Sequence, residues 1–265
     1  MKGTKPLVLK KILKAKKGYI EERKKKAATK TLETAFSHNI ISQKNIIDTQ
    51  DFSVIAEIKR SSPSAGNIRQ DIDIGQTAAD YQNNGAAGIS VLTCEPFFNG
   101  CMEDLKNTRK AVCIPILMKD FIIDTWQIYE GRLYGADIVI LIMRILNDED
   151  FIRLVQYAAS LQLETLIEVH SKKEIERALK LVKNWDDKIL GINNRNLETL
   201  TTDLKTTADL IKFVEGYKIT VISESGIRTA EDVLRIRETG VKGILVGESL
   251  LKTGLPGDNL KKLIS

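Results

Sequence analysis

The chain has 265 residues, 43% hydrophobic and 28% charged, enough apolar material for one large core and close to the size of a single (β/α)8 barrel. Its formal charge of +5 is uneven: residues 1–30 carry 12 Lys/Arg against 2 Glu and the other 235 carry 28 against 33 acidic residues, which argues against a nucleic-acid footprint spread over the body. There is no membrane-length apolar run and no secretory h-region, the three cysteines (Cys94, Cys101, Cys113) form no C-x-x-C pair, and two histidines (His38, His170) offer little for a His-based zinc site or a Ser/His triad, so a cytoplasmic protein without membrane partners is expected.

In chain order, Leu7 to Ala28 reads as a helix with Lys and Arg on most exposed positions and Leu7, Ile12, Leu13, Tyr19 and Ile20 as its apolar minority. Its basic face is read as the solvated side of a helix packed on the body, in preference to a site for an anionic surface. A short helix near Leu32 to Ser37 follows. No Gly/Ser- or Pro-rich linker comes next, so residues 1–50 are expected to form an N-terminal helical extension on a single barrel domain of residues 51–265.

From Ser53 a rhythm sets in. Short β-like runs occur at Val54–Lys59, Gly88–Leu92, Pro115–Lys119, Ile138–Ile142, Glu164–Val169, Ile189–Asn193, Ile219–Glu224 and Gly243–Val246. Between them lie amphipathic stretches at Ile74–Gln82, Met102–Arg109, Thr125–Tyr134, Asp148–Leu161, Lys172–Val182, Thr207–Val214 and Thr229–Arg237. Eight such units predict an α/β fold, a (β/α)8 TIM barrel. An open doubly wound sheet is the alternative, but its usual Gly-rich fingerprint is absent after the first strand, where the chain reads SSPSAG.

Polar residues fall at the C-terminal ends of these runs: Glu57 and Lys59, Lys119, Glu168, Asn193, and Glu224. Apolar or small residues sit two positions earlier, at Ile55, Leu117, Leu166, Gly191 and Ile222, and residues two apart share a strand face. Unpaired charge inside a sheet costs several kcal/mol, so its repetition at one end points to use, and that end is where barrels keep their reacting groups. Ser225-Gly226 and Gly247-Glu248 follow the last two strands, the usual phosphate seat of this fold. There the Glu248 side chain should point away, leaving its N–H for the ligand. Asp120 should face away from Lys119, and His170 is read as a loop residue just beyond the mouth.

The segments AEIKRSSPSAG (Ala56–Gly66), ILMKDFI (Ile116–Ile122), LIEVH (Leu166–His170), GINNRNLETL (Gly191–Leu200), SESGI (Ser223–Ile227) and LVGESL (Leu245–Leu250) together resemble indole-3-glycerol-phosphate synthases, in order over most of the chain. The resemblance implies a carboxy-lyase of tryptophan biosynthesis working without metal or organic cofactor. The implied substrate is a small phosphosugar, a carboxyphenylamino-deoxyribulose phosphate, and a monomer is expected. By matching position, Lys119 is the general acid of ring closure and Glu168 the general base of dehydration. Lys59 is its acidic counterpart or a clamp, and Glu57 and Asn193 orient the acid and the substrate hydroxyls. Arg195, Leu197, Phe98, Phe121 and Ile140 are implied to line the pocket, and Ser62, Ser225, Gly226, Gly247 and Glu248 to hold phosphate. Lys119 and Glu168 should face each other across the mouth with substrate between them. Asn196 departs from the family's usual Asp and leaves the orientation of Arg195 open. A phosphoribosylanthranilate isomerase is the rival enzyme, but it needs a Cys or Asp acid–base pair where this chain has Glu and Lys. An inactive barrel serving as a scaffold is the rival from another class.

Overall fold

Near-continuous burial of short β-branched runs is what a parallel strand covered by helices on its outer side requires. The computed structural model describes residues 7–28, 46–47 and 52–265. Helix α1 (Leu7–Ala28) precedes β1 (Ser53–Ile58), a small antiparallel hairpin of β2 (Ser61–Ser62) and β3 (Gly66–Asn67), α2 (Ile74–Asn83) and β4 (Gly88–Leu92). Then come α3 (Glu95–Phe98), α4 (Met102–Ala111), β5 (Ile116–Lys119), α5 (Thr125–Leu133), β6 (Ile138–Ile142), α6 (Asp148–Ser160) and β7 (Glu164–Val169). The chain closes with α7 (Lys172–Leu181), β8 (Lys188–Asn193), α8 (Lys205–Leu210) running into a 3-10 turn, β9 (Thr220–Glu224), α9 (Ala230–Glu238), β10 (Gly243–Val246), α10 (Glu248–Leu251) and α11 (Pro256–Ile264).

Strands β1 and β4 to β10 form a closed parallel barrel in the order β1-β10-β9-β8-β7-β6-β5-β4. Every barrel strand lies within one residue of the run expected from sequence. The hairpin, α3, α10 and α11 were not anticipated, and the helix expected near Leu32 to Ser37 lies outside the described residues. Among the described residues no helix is long and apolar enough to cross a membrane.

Helix ends follow local chemistry. Asp73, Asp124, Asn147, Ser171 and Thr229 accept hydrogen bonds from first-turn N–H groups of α2, α5, α6, α7 and α9. Asn147, one residue before the expected Asp148, caps α6.

Helix α1 buries Leu9, Ile12 and Ile20 against the barrel and leaves Lys10, Lys11, Lys14 and Lys17 exposed. Its attachment is also ionic. Lys16, 2% exposed, places Nζ 2.6 Å from Asp120 Oδ2, just past β5. Arg23 pairs with Glu130 on α5 at 2.5 Å, and Lys24 with Asp124, the α5 cap, at 2.8 Å. The Asp120 carboxylate also accepts from the Thr93 hydroxyl (2.8 Å) and the Phe121 N–H (2.7 Å). Lys16→Ala would leave a buried carboxylate without its cation, the costly way to break a buried pair. Because two donors remain, the expected loss is about 3 kcal/mol, the low end for such a break. Urea unfolding of the variant checks this.

Candidate active site

Strand alternation brings the polar residues of five strands to one end of the barrel, and closure brings them into contact. Lys119 Nζ, from β5, lies 2.8 Å from Glu168 Oε2 on β7 and 3.2 Å from Glu224 Oε2 on β9. Beside it Lys59 Nζ is 2.5 Å from Glu57 Oε1, as expected for residues two apart that share a face. The expected gap between Lys119 and Glu168 is therefore replaced by direct contact: both side chains reach inward, and two buried opposite charges lower their energy by meeting. Asp120 does face away from Lys119, and its partner is Lys16.

Burial works against charge on every member of this group, so the signs of the shifts show which neighbours prevail. Burial alone would lower Lys119, but Glu168, Glu224 and Glu57 outweigh it and hold the ammonium well above the ordinary lysine range. Burial would raise Glu168, yet Lys119 and His170 hold it far below the usual carboxylate range. For Glu224 burial prevails over Lys119, with Glu168 and Glu57 adding repulsion, and its pKa is pushed up to about 7. Both Glu224 oxygens are buried without a well-formed hydrogen bond among the described residues. Sequence inspection noted Glu224 among the strand-end residues but assigned it no role. Its space comes from Gly191 on the adjacent strand β8, where an added Cβ would fall 2.0 Å from Glu224 Oε1.

These groups form the floor of a cavity of about 460 Å³, a size suited to a small organic phosphate. Phe98 and Phe121 stand on its wall with ring centroids 6.0 Å apart, and Leu197 joins them. Leu9 and Ile12 of α1 also line it, so the N-terminal helix is part of the site. Ile140 does not line this cavity; it lies one inward step deeper on β6, and Ile142 lines the wall instead. Asn193 accepts the Arg195 N–H at 2.9 Å. The Arg195 guanidinium is held by the Leu200 carbonyl at 3.1 Å, while Asn196 caps the next turn through the N–H groups of Glu198 and Thr199. The Asn196 departure thus leaves Arg195 anchored.

Ser62, Ser225, Gly226, Gly247 and Glu248 also line the cavity. Ser225 and Gly226 are successive left-handed residues, with φ of 67° and 86°. Asn194, which sequence reasoning passed over, braces this turn by donating to the Ser225 carbonyl at 3.0 Å and to the Ser223 hydroxyl at 2.9 Å. The Glu248 side chain does not point away from the cavity. It stays on the rim, 2.7 Å from Lys252 and 3.8 Å from Arg195, because two cations are within reach.

His170 is not a mere loop residue. Its side chain is 3% exposed, with Nε2 3.2 Å from Glu168 Oε1 and Nδ1 3.4 Å from Glu174 Oε2. Among the described residues no group of three His, Cys, Asp or Glu is arranged to hold a metal ion.

The model of the family described as "Indole-3-glycerol phosphate synthase" matches residues 9–263. A protein of that name from Trichodesmium erythraeum is 46% identical over 217 residues, covering 80% of this chain and 72% of the relative. Another from Oceanobacillus iheyensis is 42% identical over 245 residues, 92% of each. Solved structures similar in fold include an N-acetylmannosamine-6-phosphate 2-epimerase from Clostridium perfringens (TM-score 0.60, 16% identity, 82% of this chain and 94% of that one). A tryptophan synthase alpha-subunit from Pyrococcus furiosus is another (TM-score 0.58, 14% identity, 81% and 98%).

Two outcomes follow from this geometry. Between about pH 4.5 and 7 the folded chain holds a proton on Glu224 that the unfolded chain has released, so this group's contribution to stability falls as pH rises through that window. Glu224→Gln removes the titration. In urea unfolding, the variant should gain stability relative to the wild type from pH 4.5 to 7 and then hold a constant difference; a flat difference would contradict the raised pKa. At the Ser225-Gly226 turn, a side chain at Gly226 is strained by its φ and would meet Thr202 Cβ at 3.2 Å and Leu204 Cδ2 at 3.3 Å. Gly226→Val should weaken binding of a phosphate-bearing ligand roughly tenfold to a hundredfold, the worth of a charge-assisted hydrogen bond, and Ser225→Ala should weaken it less, as calorimetric titration would show.

Proposed function

The chain belongs to the indole-3-glycerol phosphate synthase family, and from that premise we propose how its mouth residues divide the reaction. The reaction closes, decarboxylates and dehydrates a carboxyphenylamino-deoxyribulose phosphate to indole-3-glycerol phosphate, a carboxy-lyase step of tryptophan biosynthesis. In the first step the aromatic carbon bearing the carboxylate attacks the ketone carbon, and the ketone oxygen takes a proton. CO2 then leaves from that aromatic carbon and its bonding pair restores the ring. Finally a proton and the new hydroxyl depart as water.

The observation that carries the reading is the Lys119 ammonium held between Glu168 and Glu224 on the cavity floor. A cation is needed where the ketone oxygen gains charge, and a buried one acts in a medium that screens it little. Lys119 is the acid of ring closure. Its raised pKa makes it a reluctant donor while it is paired, so the substrate oxygen must draw it off Glu168. That separation also frees Glu168 Oε2, which serves later as the base of dehydration. Lys59, held by Glu57, delivers the proton that carries the hydroxyl away as water. Arg195, Leu197, Phe98, Phe121 and Ile142 surround the aromatic ring. Ser62, Ser225, Gly226 and Gly247 hold the phosphate, with Glu248 acting through its N–H while its carboxylate restrains Arg195 and Lys252. Helix α1 acts as an extension of the barrel domain, closing the apolar side of the cavity through Leu9 and Ile12.

Single-turnover analysis with CO2 release and indole fluorescence followed separately tests the division. Lys119→Ala should release neither CO2 nor product, and Glu168→Gln should release CO2 ahead of indole, each change slowing its own step by ~10²–10⁴-fold. Normal CO2 release in Lys119→Ala with lagging indole would move the first acid to Lys59.

A further inference from the structure

Glu168 uses its two oxygens on different partners. Oε2 meets Lys119 from across the barrel, and Oε1 faces His170 Nε2 at 3.2 Å. The other ring nitrogen faces a second carboxylate, Glu174 Oε2, at 3.4 Å, and the same oxygen accepts the His170 backbone N–H at 2.8 Å. Glu174 is fixed in turn: it lies in the first turn of α7, and its Oε1 accepts from Arg144 Nε at 3.0 Å. A line of alternating charge therefore runs from Lys119 through Glu168, His170 and Glu174 to Arg144 near the surface. A neutral imidazole has one donor and one lone pair, so it would turn a lone pair toward one of the two carboxylates. The cation carries an N–H on each side: Nδ1 faces Glu174, and Nε2 pairs with Glu168 Oε1 by charge at 3.2 Å, without a well-formed hydrogen bond among the described residues.

We propose that His170 is a positioning residue for the dehydration step: as an imidazolium it pins Glu168 through Oε1 and so selects Oε2 as the oxygen that takes the substrate proton. When Lys119 turns to the ketone oxygen, His170 remains as the cation beside Glu168. Without it the carboxylate, buried next to Glu224, would be free to rotate or to take up a proton early. Three groups of charge bear on the ring and its partner. They are Glu168 on its own strand, Glu174 with Arg144 behind it on the α7 side, and Lys119 and Glu224 reaching Glu168 from β5 and β9. Burial would lower the imidazole's pKa, but its contacts with Glu168 and Glu174 prevail and raise it to about 9. The sign follows: the positioned state is complete through neutral pH and is lost as pH rises through about 9, while the stability that the raised pKa contributes is fully present only below the ordinary histidine value of about 6.5.

This inference rests on the reading of Glu168 as the dehydration base, and the experiment separates the two. The chain has two histidines, so a His38→Asn variant assigns the His170 ring signals by NMR. The ring should stay doubly protonated through neutral pH; a midpoint at or below about 6.5 overturns the proposal. Glu174→Gln, which touches no reacting group, should lower both that midpoint and the alkaline limb of kcat for indole formation, with KM little changed. A midpoint that moves without the limb overturns the proposal, because a purely structural His170 behaves in that way. His170→Gln keeps a neutral donor and His170→Phe keeps none, so indole formation should fall roughly tenfold or more in the Phe variant, less in the Gln variant, with CO2 release unchanged in both. Equal loss in the two overturns it. If Glu168→Gln shows no lag between CO2 and indole, the base assignment fails on its own account, whatever the ring titration shows.

Discussion

The site depends on keeping an ammonium group buried among carboxylates. Lys119 is surrounded by Glu168, Glu224 and, farther off, Glu57, and each would be costly to bury alone. The cluster persists because its charges are mutually compensating, and because Glu224, pushed up to about 7, is only partly ionised near neutral pH while Glu168 is held ionised. Two carboxylates on one lysine thus take different states through their surroundings. Glu168 has a second cation beside it, and Glu224 has none as close. That asymmetry leaves one firm anion on the cavity floor and limits the net negative charge of the cluster.

Several features outside the cluster hold its members at these distances. Gly191 makes room for the Glu224 carboxylate, so a residue without a side chain serves a charged one on the next strand. Asp120 follows Lys119 directly and is tied to Thr93 at the end of β4 and to Lys16 of α1. The loop that carries Lys119 and Phe121 is thereby bound both to its neighbouring strand unit and to the N-terminal helix. Helix α1 contributes apolar wall to the cavity and ionic ties to α5, so its basic character has two separate meanings. Lys16 is structural and buried, whereas Lys10, Lys11, Lys14 and Lys17 are solvated.

The Ser225-Gly226 turn of the cavity wall is held mainly through backbone groups. Ser225 and Gly226 turn through left-handed conformations, and Asn194 holds the turn from below with buried hydrogen bonds that Thr207 and Ser223 complete. A fully satisfied polar network of this kind fixes a loop more firmly than packing alone.

Much of this was legible in the chain itself. Strand and helix order follow from apolar periodicity, and the polar residues at strand ends are inward-facing because side chains alternate every two residues, a property of the local backbone. The Glu57–Lys59 pair needed nothing more. Contacts between strands far apart in sequence were another matter. That Lys119 touches Glu168, 49 residues away, depends on barrel closure and stagger, which no local pattern encodes. Ile140 and Ile142 share a face, and only the depth of the floor decided which one meets the cavity. Glu248 stayed on the rim because Arg195 and Lys252 came within reach, and His170, one residue past its strand, turned inward between two carboxylates. The sequence by itself determined which face each side chain would take; the tertiary structure decided which charges would meet, since electrostatic partners are set by distances in space between segments the chain keeps apart.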